Sequence, residues 1–160
     1  MTANATKRIT FERTYTAPLE DVWELWTTKD GIESWWGPEG FSVTVHELDL
    51  RAGGLMRYAM TATAPDQVAG MKQAGLPLTS EARLTYSEVT PQRRLGYTTV
   101  VDFIQGVAPY DVSTLVELHP NGQAVRMVVT SDAMHSEEWT KRASQGLESQ
   151  LGKLSKRFQR

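Results

Sequence analysis

The sequence predicts an α+β domain in which a strand and two short helices lead into six closely spaced strands and one long closing helix. Three observations carry that reading. The paired indoles Trp35-Trp36 precede a Gly37-Pro38-Glu39-Gly40 turn, and an alternating strand then runs from Phe41 to Leu50, ending at Arg51 and a Gly53-Gly54 reversal. Asn121-Gly122, the strongest short hairpin signal, joins two alternating segments. Trp139, Ala143, Leu147, Leu151, Leu154 and Phe158 recur at three- and four-residue steps, an apolar stripe that needs a long partner surface. The sheet is the candidate.

The elements follow in chain order. Residues 1–7 read as a disordered tail, and 8–160 as a single domain. Ile9, Phe11 and Tyr15 alternate with Thr10, Glu12 and Thr14, the pattern of a half-buried strand. Pro18 suits a first helical position, with Glu20 and Asp21 in the positive first turn and Val22, Trp23, Leu25 and Trp26 as an apolar stripe. A second short helix spans about 29–36 and stops before Gly37-Pro38. Strands are expected near 41–50, 54–63, 80–89, 93–103, 111–119 and 123–131. A two-residue Asn121-Gly122 loop would set Glu117 opposite Arg126 and Val116 opposite Met127, with His119 in the turn and solvated. The 64–79 connection is too long for a hairpin loop and carries helix start and stop signals over Pro65–Ala74. A lid, a subunit contact and a bland insertion are its alternatives. Ser136 can cap the last helix, and Glu137 and Glu138 suit its first turn.

Composition narrows the class. One domain is the expectation for 160 residues, and such a chain buries roughly 70% of its unfolded surface without staples. The chain has no cysteine, which removes thiolate chemistry and fits a cytoplasmic protein. No apolar run approaches a membrane span, and Met1–Arg8 lacks a signal-peptide core. With 17 basic and 19 acidic residues, nothing forms a basic face for nucleic acid. The cluster Lys153, Lys156, Arg157 and Arg160 is read as a complement to the helix macrodipole.

The ordered motifs resemble the helix-grip fold of the START/Bet v 1-like (SRPBCC) superfamily. More narrowly, they are similar to domains homologous to the activator of the heat-shock-protein-90 ATPase. The residues that carry the resemblance are Thr16-Ala-Pro18, Trp35-Trp36-Gly-Pro38-Glu-Gly-Phe41, Leu48-Asp-Leu-Arg51-Ala-Gly53-Gly54, Glu88-Val-Thr-Pro91-Gln-Arg-Arg-Leu95 and Gly146-Leu147-Glu-Ser-Gln-Leu151. The resemblance implies a curved antiparallel sheet of about seven strands wrapped around the long helix, with a mostly apolar cavity between them. Relatives bind lipophilic molecules there, and some have turned the cavity into an active site, so fold alone does not decide function. Two departures stand out: Leu147 replaces the usual tryptophan, which should widen the groove, and 64–79 is longer than the usual connection.

Strand alternation sets Met56, Tyr58, Met60, Tyr86, Tyr97, Phe103, Met127 and Val129 on the concave face. Trp36, His135, Trp139, Leu147 and Leu151 complete the expected cavity from the turn and the closing helix. Tyr58, Tyr86 and Tyr97 have hydroxyls that need partners when buried, which argues for a cavity with polar points over a dry core. Arg13 shares the inward parity; either Glu47, Asp49 or a ligand anion pairs with it, or the strand twists it to solvent. Arg51 is read as fixing its turn. His46, His119 and His135 do not assemble a metal-ligand pattern, and no nucleophile elbow or glycine-rich phosphate loop occurs, so no cofactor or metal is expected. The expectation is a domain binding a small lipophilic molecule. A polyketide cyclase or hydrolase using an inward His135 or Asp102, and a chaperone-activator-like interaction module, are the alternatives. A homodimer is left open.

Overall fold

The structure, a computed structural model, describes residues 7–37, 39–102 and 104–158. It comprises β1 (Arg8–Tyr15), α1 (Leu19–Thr27), α2 (Lys29–Glu33), β2 (Phe41–Leu48), β3 (Leu55–Ala62), α3 (Pro65–Gln73), β4 (Thr79–Thr90), β5 (Arg94–Val101), β6 (Tyr110–Asn121), β7 (Ala124–Asp132) and α4 (Glu137–Lys156). The seven strands form one antiparallel sheet in the order β1-β7-β6-β5-β4-β3-β2. The first two strands therefore stand at opposite edges, and the α1–α2 segment bridges them. The disordered tail expected over 1–7 lies outside the described residues except for Lys7, whose carbonyl accepts the Ala133 amide at 2.7 Å.

One face of the sheet carries the core. Val45, Met56, Leu84, Tyr86, Leu95, Val116, Leu118, Val125, Met127 and Val129 are buried there with Leu151 and Leu154 of α4 and the indoles of Trp26, Trp35 and Trp36. Full burial of each such aliphatic or aromatic side chain contributes about 1.5–3 kcal/mol. Pro18 is the N-cap of α1 and not its first residue. Glu33 fastens α2 to the β2 edge, accepting the Val45 amide at 2.7 Å where a bulge follows in the strand. Its carboxyl is held below the usual range by the hydrogen bond from Lys29 first, then by the Val45 amide, against partial burial. The β2–β3 reversal runs back against the β4 bulge: Gly53 N–H donates to Tyr86 O at 2.7 Å and Tyr86 N–H to Gly54 O at 2.8 Å. A Cβ on Gly54 would come within 2.0 Å of Asp49 O, so only glycine fits there. Arg51 bonds Asp49 at 2.9 Å and stays at the turn.

The last hairpin differs from the expected register. Asn121 pairs with Ala124, His119 with Arg126, Leu118 with Met127 and Glu117 with Val128. Gly122, at φ +65°, is the first central residue of the turn and Gln123 the second. A glycine with positive φ at that position is the II′ arrangement, in which Asn121 stays in the strand. The pairing moves by two residues, so every side chain keeps its face. Glu117 meets Arg94 at 3.4 Å and Arg126 meets Glu12 at 3.4 Å, in place of each other. His119 lies within β6 and is half-buried, not in the turn.

Candidate functional site

α4 meets the sheet in two different ways. Ser136 caps it, accepting the Trp139 amide at 3.2 Å, and the apolar stripe continues to Leu154. Only Leu151 and Leu154 are buried, however. Ahead of them Trp139, Ala143 and Leu147 are half-buried, and beneath this first half lies a cavity of about 720 Å³. Tyr58 and Met60 of β3, Ala82 of β4, Thr99 and Val101 of β5, Val112 of β6, Ser131 of β7, Met134 and Ala143 line it. Arg57, Glu81, Arg83, Val100, Asp102 and Asp132 also border it; along the strands they alternate with the inward residues.

The second half of α4 is clamped. Gln150 Oε1 accepts the Gly37 amide at 3.2 Å, and Ser149 Oγ accepts the Glu39 amide at 3.0 Å. Lys153 Nζ donates to the carbonyls of Trp36, Gly37 and Phe41 at 3.5, 3.2 and 3.3 Å. Burial holds its ammonium below the usual lysine range, with Glu39 opposing that shift. The macrodipole reading of Lys153 misses this role, because the carbonyls come from a loop more than a hundred residues away.

The expected cavity residues separate accordingly. Tyr58 and Met60 are on the wall. Trp36 and Tyr97 stand behind Tyr58, with ring centroids of Trp36 6.1 Å from Tyr58 and 5.9 Å from Tyr97. Met56, Tyr86, Met127, Val129 and Leu151 are packed core. The reason is chemical: methionine sulfur supplies the acceptors that the sequence left open. The Tyr86 hydroxyl reaches Met56 Sδ at 3.7 Å, and Trp26 Nε1 donates to Met127 Sδ at 3.3 Å. A dry core is therefore satisfied. Leu147 packs half-buried against it. Arg13 shares the inward parity, but at the sheet edge its guanidinium reaches Glu148 of α4 at 2.6 Å, not Glu47 or Asp49. Trp139 lies under the Arg142 guanidinium, 4.9 Å from the ring centroid. Phe103 lies outside the described residues.

His135 is exposed and joined to Tyr110, with the phenol oxygen 2.8 Å from Nδ1 and accepting the His135 amide at 3.1 Å. The second contact uses one lone pair of Tyr110; which atom donates in the Nδ1 contact depends on the His135 tautomer. Tyr110 stands opposite Val101, beside the cavity. Asp102 borders the cavity from the other strand parity. Among the described residues no group of three or more His, Asp or Glu converges as a metal site. α3 has no buried residue, and none of 65–75 lines the cavity, so the lid alternative gains no geometry.

Burial raises the Tyr58 hydroxyl above the usual phenol range, with a bond from Trp36 opposing it. Tyr97 is raised by burial first, then by its neighbour Tyr58, with a bond to Thr114 opposing. Thr114 and Ser131 share a hydrogen bond at 3.0 Å. Among the residues that the expected site missed are Ala82, Thr99, Val112, Ser131, Met134 and Ala143. For some the signal was present: Thr99 keeps step with Tyr97 and Val101, Ser131 with Val129, and Ala143 belongs to the apolar stripe.

A seven-stranded antiparallel sheet closed by a carboxy-terminal helix, with short helices after the first strand, is the helix-grip architecture of START-like proteins. Within it, the chain belongs to the family described as Activator of Hsp90 ATPase homolog 1-like protein, whose model matches residues 16–159. No curated protein matches the chain. Among solved structures, it is similar to a protein from Chromobacterium violaceum, at 24% identity, 96% of this chain, 97% of that one and a TM-score of 0.77. The AHSA1 protein from Silicibacter pomeroyi shows 19% identity, coverage of 94% and 96%, and a TM-score of 0.73. CalU16 from Micromonospora echinospora shows 19% identity, coverage of 96% and 77%, and a TM-score of 0.67. These likenesses are of fold. No described helix is long and apolar enough to cross a membrane.

Proposed function

We propose that this protein binds a small lipophilic molecule in the cavity beneath the first half of α4. The observation that carries the reading is the cavity itself. Its volume, about 720 Å³, falls within the roughly 300–1,000 Å³ of small-molecule sites; apolar side chains with a few hydroxyls form its inward wall, and the charged Arg57, Glu81, Arg83, Asp102 and Asp132 border it. Binding would draw on apolar burial at about 25 cal/mol per Å². A cytoplasmic location belongs to the same proposal, as does binding without catalysis, since the inward wall presents no carboxylate or imidazole.

Native mass spectrometry of protein purified from its host should show a retained small molecule. Ala143→Trp should then abolish uptake of a hydrophobic dye with the fold intact by circular dichroism. Unchanged uptake in that variant would place binding elsewhere. The family description favours a second reading, an interaction with the chaperone ATPase. Chaperone capture with stimulated ATPase, unaffected by Ala143→Trp, would put that reading first.

A further inference from the structure

We propose that the cavity selects an uncharged ligand bearing a carbonyl or hydroxyl group, and rejects ionised acids and amines. The inference rests on the binding reading above and names the ligand class. Its basis is how charge is distributed between the two strand parities. The inward wall is formed by Tyr58, Ala82, Thr99, Val112 and Ser131 with Ala143 above, and carries hydroxyls and apolar groups only. Each charged residue bordering the cavity sits at the alternating parity, and several are held there by partners. Arg57 is bound to Glu47 at 2.9 Å, Asp132 to Arg8 at 3.4 Å and to the Ser113 amide at 3.0 Å, and Glu81 lies 4.0 Å from His46.

The hydroxyls already have protein partners yet keep capacity for a ligand. Thr99 donates to Val112 O at 3.4 Å, which leaves its lone pairs. The Thr114–Ser131 bond can run in either direction, so Ser131 can offer the cavity a donor or an acceptor. The Tyr58 phenol on the wall is neutral at neutral pH as any phenol is, and burial raises it further. Neutral hydroxyls can match a carbonyl or an alcohol. They cannot offset the desolvation of a carboxylate or ammonium, which costs far more than an unmet neutral polar group.

The test compares methyl naphthoate with naphthoate, which share a ring system and differ in charge. By fluorescence titration at neutral pH, the ester should bind and the acid bind roughly tenfold or more weakly. The acid should regain affinity as the pH falls toward its own pKa, with circular dichroism showing the fold unchanged. Ala143→Trp should weaken the ester, which locates the site. Equal binding of ester and acid would overturn the ligand class while leaving cavity binding in place. If neither probe binds and native mass spectrometry finds no retained molecule, the binding reading falls and this inference with it.

Discussion

The two halves of α4 face one sheet and do opposite things. From Ser149 onward the helix is sealed: Leu151 and Leu154 are fully buried, and Ser149, Gln150 and Lys153 hold the 36–41 loop. From Glu137 to Leu147 no side chain is fully buried, and about 720 Å³ of space lies beneath. The difference comes from what each half meets. Trp26, Trp35 and Trp36 pack edge to face, with centroids 4.6–5.9 Å apart, and fill the sealed end with large rings. At the other end the sheet lines the space with the smaller side chains of Ala82, Thr99 and Ser131 among others. Stability is concentrated in one half, and room for a ligand is left in the other.

Substitutions can break that contrast. Trp26→Ala should cost about 3–5 kcal/mol in urea unfolding, since it empties the sealed end. A loss below 1 kcal/mol would show that this end is not the stability centre. Lys153→Met should cost about 1.5–3 kcal/mol, the scale of hydrogen bonds to a charged group, because three carbonyls lose their donor.

Alkaline pH tests the sealed half through its tyrosines. Burial raises the hydroxyl pKa of Tyr86 in the folded chain. The unfolded chain then releases that proton first, above pH about 10. The folded state binds more protons there, so stability falls as pH rises, by at most about 1.4 kcal/mol per pH unit for one tyrosine. Tyr86→Phe should flatten the slope, and an unchanged slope would count against burial of that hydroxyl.

The smallest effects belong to the open half and the edge. Ala143→Trp should change unfolding stability by no more than about 1 kcal/mol while dye uptake is lost. Arg13→Ala should cost about 0–1 kcal/mol, because the Glu148 pair is largely solvent-exposed. A larger loss would mean that the edge contact helps to hold α4.

Much of the fold was legible in the residues. Alternation placed all seven strands within a few residues, since period-two burial is a local property. The same rule kept every face right in the β6–β7 hairpin even though the register was off by two. The turn was misread because Asn-Gly fits a I′ loop equally well, and only the backbone shows that Gly122 alone takes positive φ. The site was less legible. Met56 and Met127 share parity with Tyr58 and Met60, yet the first pair is sealed and the second borders the cavity.

Sequence alone determined the order of elements, the face that each strand buries, the capped amphipathic helix and the family that the motifs indicate. These follow from periodicity and local backbone chemistry, which act over a few residues. Tertiary structure decided where the helix touches the sheet and where it leaves space, that sulfur satisfies Tyr86 and Trp26, and that Lys153 closes a distant loop. Those outcomes depend on volumes and partners brought together from opposite ends of the chain, which no local pattern encodes.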